Sequence, residues 1–126
     1  MEWPVSVKGV VFDDSGDTLL GLNERDEWEL IGGRLEHGEQ PEDALVREFV
    51  EESGLRVTPI RLVTTYVFEP IPNREVLILV YACRLDGGQL RVSDEHTRLH
   101  FHALPLSPSL AIPSGYRRAI ELGRHG

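Results

Sequence analysis

Three glutamates near the middle of the chain have the spacing of a divalent-cation site. Glu48, Glu51 and Glu52 stand at positions i, i+3 and i+4, so on a helix their side chains leave the same turn and converge. Carboxylates this close repel one another unless a cation compensates, and hard cations such as Mg²⁺ or Mn²⁺ bind such oxygens. Arg47 can pair with Glu51, four residues further on, but one base cannot neutralise three acids. A solvated acidic helix face is the alternative interpretation.

The helix that carries these glutamates is predicted over residues 41–53. Pro41 suits the first helical position, and Gly54 tolerates the left-handed geometry that ends a helix. On a helical wheel, one arc holds four apolar residues: Leu45, Val46, Phe49 and Val50. The opposite arc holds the three glutamates, Arg47 and the small Ala44. We therefore expect the apolar arc to pack and the acidic arc to face outward.

The loop before this helix offers further oxygen donors. Gly32 and Gly33 let the backbone come close to a ligand, and their carbonyl oxygens belong to the same hard class as carboxylates. Acids are also concentrated here, because residues 36–52 contain seven of the chain's 21 acidic residues. The sequence therefore predicts that loop and helix act together as one site.

The run from Gly33 to Leu55 resembles the box of the Nudix family without a mismatch. Five residues separate Gly33 from Glu39, and seven more precede the segment REFVEESGL at residues 47–55. The resemblance implies an α/β fold (α+β), namely an α/β/α sandwich with a mixed β-sheet and a loop–helix–loop that carries the box. It is expected to cover residues 1–126 as a single domain.

The resemblance also implies a set of metal ligands. Glu48 and Glu52 would be the principal ligands of Mg²⁺ or Mn²⁺, with Glu51 nearby and the Gly32 carbonyl completing the shell. Glu39 would brace the loop or touch a second metal through water. These roles agree with the grouping of acids that the helical wheel indicates.

The implied reaction is hydrolysis of the diphosphate bridge in a nucleoside diphosphate linked to another moiety. Arg47 is expected to orient a catalytic glutamate such as Glu51. A carboxylate must take the proton from the attacking water, and the candidates are Glu48 and Glu95. Glu95 lies in a polar stretch after the central strands, where an ordinary exposed acid is the alternative. A Nudix module that binds a nucleotide without cleaving it is the rival function.

The substrate is expected to be a nucleoside triphosphate or a modified one, because residues 28–33 look like the entry to the box in MutT-like enzymes. Ile31 stands where those enzymes usually have proline, which removes a conformational lock on the loop. ADP-ribose and nucleoside diphosphate sugars are the alternative substrates. The candidate substrate contacts are Arg25, Trp28, Arg34, Tyr66 and Arg74. Phe68 and Tyr81 are further stacking candidates, although aromatic residues in strands more often belong to the core.

The elements that must position this site are mainly strands. The predicted strands cover residues 5–12, 18–22, 28–31, 55–68, 75–85 and 99–104. The turn-forming residues 13–17 indicate that the first two strands form a hairpin. Pro59 is expected to break the fourth, and the uninterrupted apolar content of the fifth predicts burial on both faces. Residues 114–123 predict a terminal helix with its inward residues at Tyr116, Ala119 and Ile120.

Composition narrows the class of protein. The net charge of −8 over 126 residues argues against a nucleic-acid partner. The longest apolar run, residues 76–83, is far shorter than the ~20 residues that span a bilayer. We expect a cytoplasmic monomer or homodimer that acts on a small-molecule nucleotide without a membrane partner. Cys83 is the only cysteine and is expected to be an inert core thiol, and no zinc site is expected at His96, His100 and His102.

Overall fold

Two β-sheets and two helices make up residues 3–124, the part of the chain that this computed structural model describes. The strands are β1 Val5–Val11, β2 Thr18–Leu22, β3 Trp28–Glu29, β4 Ile31–Arg34, β5 Leu55–Ile71, β6 Arg74–Gly88 and β7 Arg98–His102. The helices are α1 Pro41–Ser53 and α2 Ser114–Arg124. Each predicted element is present, although several strand bounds differ.

The larger sheet is mixed, as predicted. Its strand order is β4-β1-β6-β5, with β1 parallel to β6 and the other neighbours antiparallel. The smaller sheet is antiparallel, in the order β3-β2-β7. Alternate side chains of β1 face opposite helices, because Val7 and Val11 pack with Phe49 of α1 whereas Val10 packs with Ile120 of α2. The α/β/α sandwich is therefore confirmed.

The predicted hairpin between the first two strands is wrong. Asp13 forms the expected turn, and its carboxylate accepts hydrogen bonds from the backbone N–H groups of Ser15 and Asp17. Beyond a single bridge between Phe12 and Thr18, however, β1 and β2 separate into different sheets. The reason is that β1 is paired along both edges, with β4 and β6, so no edge remains for β2.

The two long strands also differ from expectation. Pro59 does not end β5 but lies at a register shift against β6, where a bulge accommodates its missing N–H. On β6, Val76, Ile78 and Val80 are buried, while the alternate residues on the other face remain partly exposed. The prediction of full burial on both faces is therefore wrong, because α1 covers that second face only in part.

Helix α1 has the predicted bounds. Gly54 follows it with φ 76° and donates its N–H to the Val50 carbonyl at 3.0 Å, as expected for a left-handed C-terminal cap. The terminal helix α2 buries Tyr116, Ala119 and Ile120, as predicted. No helix within residues 3–124 has the length and apolar content needed to cross a bilayer.

The face by which α1 packs is rotated from the predicted one. Val50 is 39% exposed, whereas Glu52 and Ser53 are buried together with Phe49. Phe49 lies over Gly9 of β1, where an added Cβ would come within 2.6 Å of the ring. Glu52 is buried beside Phe49, so one of the three glutamates is shielded from solvent.

Candidate active site

Helix α1 and strand β4 together position Glu48 and Glu52, two of the predicted metal ligands. The two residues are one helical turn apart, with side chains 12% and 4% exposed. Glu48 lies directly over Gly33, where an added Cβ would come within 2.6 Å of its carboxylate atoms. The second glycine of the pair therefore makes room for a carboxylate.

The Glu52 carboxyl group lies in an unusual environment for an acid. Burial raises its pKa to about 10, and the neighbouring carboxyl groups of Glu48 and Glu95 add to the effect. Its Oε2 atom is buried and has no hydrogen-bond partner among residues 3–124. A buried, unpartnered carboxyl oxygen is costly, and a cation is the partner that its chemistry would fit.

Arg47 organises the acids around this pair. Its guanidinium holds Glu39 through two hydrogen bonds, Nε to Oε2 at 2.8 Å and Nη2 to Oε1 at 3.0 Å. Its Nη1 donates to Glu48 at 3.0 Å and to Glu51 at 3.1 Å. Hydrogen bonding to Glu39 is the main reason that the pKa of Arg47 is raised, and the same contact lowers the pKa of Glu39. The predicted Arg47–Glu51 pair is present, within a larger network.

Glu39 connects this network to the loop before the helix. Its Oε1 atom also accepts a hydrogen bond from the backbone N–H of Glu36 at 3.1 Å, which closes the loop on itself. These contacts agree with the predicted role of Glu39 in bracing the loop before α1. A second-metal contact for Glu39 stays a prediction.

Glu51 is the most exposed of the three glutamates, and it shares the Nη1 atom of Arg47 with Glu48. Its side chain is 57% exposed and contacts Arg47 at the surface. The physical reason is the rotation of α1, which places Glu52 inside, Glu48 at the edge and Glu51 outside. Its predicted catalytic and metal-binding roles remain predictions.

Glu95 lies beside the pair although it is 43 residues beyond Glu52 in the chain. Its carboxyl group is close enough to raise the pKa of Glu52, and the residue itself is exposed. The loop is held because Thr97 donates its backbone N–H to the Leu22 carbonyl at 3.0 Å. The structure thus brings this candidate base to the box acids.

A polar cluster that the sequence did not indicate as functional lies under these acids. His96 is buried, with Nε2 2.9 Å from Glu29 Oε1 and Nδ1 3.7 Å from Glu52 Oε1. Lys8 donates Nζ to the Leu30 carbonyl at 3.2 Å. Burial alone would lower the pKa of Lys8, but nearby acidic groups, Glu29 and Glu52 among them, raise it overall. The available signal was Lys8 itself, a cation within an otherwise apolar strand.

An open cleft of about 430 Å³ adjoins this cluster. Its lining residues are Asn23, Glu24, Arg25, Glu29, Asp94, Glu95 and Thr97. Arg25 lines this cleft and also pairs with Glu27 at 3.2 Å, and its contact with a phosphate stays a prediction. Because Glu95 belongs to this lining, a ligand in the cleft would lie against the box acids.

The other predicted substrate contacts lie elsewhere. Trp28 is only 9% exposed and packs edge-on against His102 at 4.4 Å. Tyr66 packs over Gly115 of α2, so both aromatic rings are part of the core. Arg74 lies at the tip of the β5–β6 turn, six residues before Val80, the partner of Lys8, and so about 20 Å away along the strand. Substrate contact by these three residues stays a prediction, and none of them lines the cleft beside Glu95.

Arg34 lies at the end of β4, away from this cleft. It lines a different depression of about 580 Å³ together with Trp3 and the loop 35–39, and its carbonyl accepts a 3.5 Å hydrogen bond from Arg47. The stacking candidates Phe68 and Tyr81 are engaged as well. Phe68 packs on Tyr116 at 5.8 Å, and the Tyr81 hydroxyl donates to Glu42 at 2.9 Å.

The donor atoms around Glu52 are carboxylate oxygens, the hard class of ligand that Mg²⁺ and Mn²⁺ prefer. Within residues 3–124, no three His, Cys, Asp or Glu side chains are grouped so as to hold an ion by themselves. Magnesium typically takes one or two carboxylates and keeps several waters, so two neighbouring glutamates can suffice, and ligation by the Gly32 carbonyl stays a prediction. A Cβ on Gly32 would collide with the Val7 carbonyl oxygen, so glycine here also permits close packing of β4 on β1.

Comparison with known proteins agrees with this geometry. The family model described as "NUDIX domain" matches residues 2–120. A "MutT-like protein" of Streptomyces ambofaciens is 41% identical over 95 residues, covering 74% of this chain and 59% of that protein. The "Putative ADP-ribose pyrophosphatase YjhB" of Bacillus subtilis is 30% identical over 128 residues, covering 94% of this chain and 61% of that protein. The chain thus spans about three fifths of the length of these two relatives.

A solved structure extends the comparison to three dimensions. The MutT NUDIX hydrolase from Burkholderia pseudomallei superposes with a TM-score of 0.81 at 26% identity. The match covers 97% of this chain and 98% of that one. The two proteins therefore share the whole arrangement of sheets and helices.

Proposed function

The chain belongs to the Nudix family, and from that premise we propose that it is a divalent-metal-dependent pyrophosphohydrolase. Its substrate is a nucleoside diphosphate linked to another moiety. The observation that carries the proposal is the buried Glu52 carboxyl, whose Oε2 lacks a partner within the described residues, next to Glu48 and beside an open cleft.

The residues that would hold the cation are Glu48, Glu52 and the carbonyl of Gly32. When bound, Mg²⁺ or Mn²⁺ supplies charge neutralisation at the phosphate oxygens and activation of a water molecule. Arg47 keeps Glu48 in place through its Nη1 hydrogen bond at 3.0 Å. The same guanidinium holds Glu39, so it ties the helix to the preceding loop.

Two carboxylates can take the proton from the attacking water. Glu48 accepts a hydrogen bond from Arg47 and is largely buried, so its position is constrained. Glu95 is exposed and lines the cleft, so it can reach a substrate held there. We propose Glu48 as both ligand and base, with Glu95 as the alternative base that the mutants below separate.

The preferred substrate class is a nucleoside triphosphate or a modified one. The similarity to the MutT-like protein of Streptomyces ambofaciens, at 41% identity, supports this class. Arg25, at the rim of the cleft, is placed to form a bidentate contact with a phosphate. ADP-ribose is the second candidate, because the B. subtilis relative described as a putative ADP-ribose pyrophosphatase aligns with 94% of this chain.

A substrate panel tests the proposal. The purified protein is incubated with Mg²⁺ and dGTP, 8-oxo-dGTP, dCTP, ADP-ribose or UDP-glucose, and the products are identified by mass. We expect a nucleoside monophosphate and pyrophosphate from the triphosphates, in greater yield than AMP and ribose phosphate from ADP-ribose. Glu52→Gln is the inactive control, and Glu75→Gln, an exposed acid on β6, is the matched active one.

The same panel tests the rival function, a nucleotide sensor without catalytic activity. A nucleotide sensor would bind one or more of these compounds with a measurable Kd and release no product from any of them. Turnover of ADP-ribose alone would transfer the assignment to the second candidate. Absence of both binding and turnover across the panel would contradict the substrate class.

A further inference from the structure

His96 is a buried side chain for which the reaction as described has no use. It follows Glu95 directly, yet it points inward, between Glu29 of β3 and Glu52 of α1. These two acids are 23 residues apart in the chain and come from different elements. The imidazole ring is therefore the group that connects the smaller sheet to the buried box glutamate.

The orientation of the ring is set by Glu29. That carboxylate also accepts a hydrogen bond from the Asn23 amide at 3.3 Å. Burial opposes ionisation of Glu29, but the His96 and Asn23 hydrogen bonds and the nearby Lys8 lower its pKa overall. An ionised carboxylate can only accept hydrogen bonds, so Nε2 of His96 is the donor across the 2.9 Å contact.

The other ring nitrogen then faces the metal-binding glutamate. Nδ1 of His96 is buried and has no hydrogen-bond partner within the described part of the chain. It lies 3.7 Å from Glu52 Oε1, while the second oxygen, Oε2, is the one that lacks a partner. The ring thus borders one carboxyl oxygen and leaves the other available.

The backbone around His96 is built to accept the ring. An added Cβ on Gly21 of β2 would come within 2.6 Å of Cδ2, so a side chain at that position would displace the imidazole. The hydrogen bond from the Thr97 N–H to Leu22 holds the next residue to the same strand. Strand β2 therefore contacts both the His96 ring and the residue that follows it, and so fixes the position of the ring.

From these contacts we propose that His96 is a positioning residue, held by Glu29, that restricts the Glu52 side chain to the rotamer in which Oε2 can bind the cation. The proposal rests on the proposed function in taking Glu52 as a ligand. It goes beyond that function because it assigns the orientation of the ligand to a residue outside the box. Groups that orient metal ligands typically contribute 10–100-fold to metal affinity.

Binding of Mn²⁺ without any nucleotide tests the proposal. The Kd is measured by electron paramagnetic resonance of free Mn²⁺ on the wild type, His96→Ala, His96→Asn and the control His100→Ala, an exposed histidine on β7. We expect about 10-fold weaker binding in His96→Ala. His96→Asn places an amide near the position of Nδ1 and should recover most of the loss, and the control should stay within twofold of the wild type.

Thermal unfolding in EDTA separates positioning from a purely structural role. A His96→Ala protein that melts at a lower temperature but binds Mn²⁺ within twofold of the wild type would overturn the proposal. If His96→Ala does not fold, Glu29→Gln decides instead, since it fills the site but removes the charge that holds the ring. Wild-type Mn²⁺ affinity in Glu29→Gln would then overturn the proposal. A wild type that binds no Mn²⁺ would instead refute the proposed function.

Discussion

Replacing Glu52 by glutamine should stabilise the metal-free protein while abolishing its activity. The buried Glu52 carboxyl group, next to the carboxyl groups of Glu48 and Glu95, holds a proton in the folded state because burial raises its pKa from 4.5 to about 10. The unfolded chain releases that proton near its ordinary pKa. As the pH rises above about 4.5, unfolding is therefore increasingly favoured, by about 1.4 kcal/mol per pH unit.

At pH 7 this linkage amounts to about 3 kcal/mol, because 2.5 pH units separate pH 7 from 4.5. Glutamine has nearly the same shape and does not titrate, so Glu52→Gln should recover up to this amount in EDTA. For a chain of this size, that is a rise in Tm of roughly 10 °C. Turnover with Mg²⁺ should fall by orders of magnitude, because a ligand oxygen has lost its charge.

Urea unfolding in EDTA at pH 5, 6, 7 and 8 measures the effect, with Glu51→Gln as the control. That residue lies on the same turn but is exposed, and loss of its contact with Arg47 should cost less than about 1 kcal/mol. We expect the difference in free energy of unfolding between Glu52→Gln and the wild type to increase as the pH rises from 5 to 8. A constant gap, or a destabilised Glu52→Gln, would refute the reasoning from burial.

Four further outcomes are expected. Glu48→Gln should lower kcat and raise the Mg²⁺ concentration that gives half-maximal rate. If Glu95 is the base, Glu95→Gln should lower kcat alone and flatten the acidic limb of the pH–rate profile. An unchanged profile in Glu95→Gln supports Glu48 as the base. Gly33→Ala should weaken Mn²⁺ binding at least several-fold, because its Cβ would press on the Glu48 carboxylate; unchanged Mn²⁺ affinity would count against that contact. Ile31 is fully buried in β4, so Ile31→Pro should lower the free energy of unfolding by about 2 kcal/mol or more, and the control Ile31→Val by about 1 kcal/mol. Equal urea midpoints for the two variants would contradict this. Burial raises the pKa of the Cys83 thiol to about 12, so iodoacetamide at pH 8 should modify it only after unfolding, as mass spectrometry would detect.

Helix α1 is the element that the sequence predicted most completely. Its first residue, its last residue and its cap at Gly54 all follow from local preferences, and the Arg47–Glu51 pair follows from helical spacing. The choice of acids proposed as metal ligands and the family of the chain depend on the same short-range pattern. Such features involve neighbours within a few residues, so they can be read before the fold is known.

Tertiary structure decided which way the helix faces and what surrounds its acids. Glu52 is buried together with Phe49, which packs over Gly9 of β1, and a helical wheel carries no information about that strand. The same holds for His96, which lies between Glu29 of β3 and Glu52 of α1, because β3 belongs to a separate sheet from β1. Strand partners and helix rotation depend on contacts between distant segments, and these contacts determine which carboxylate is buried and left without a partner.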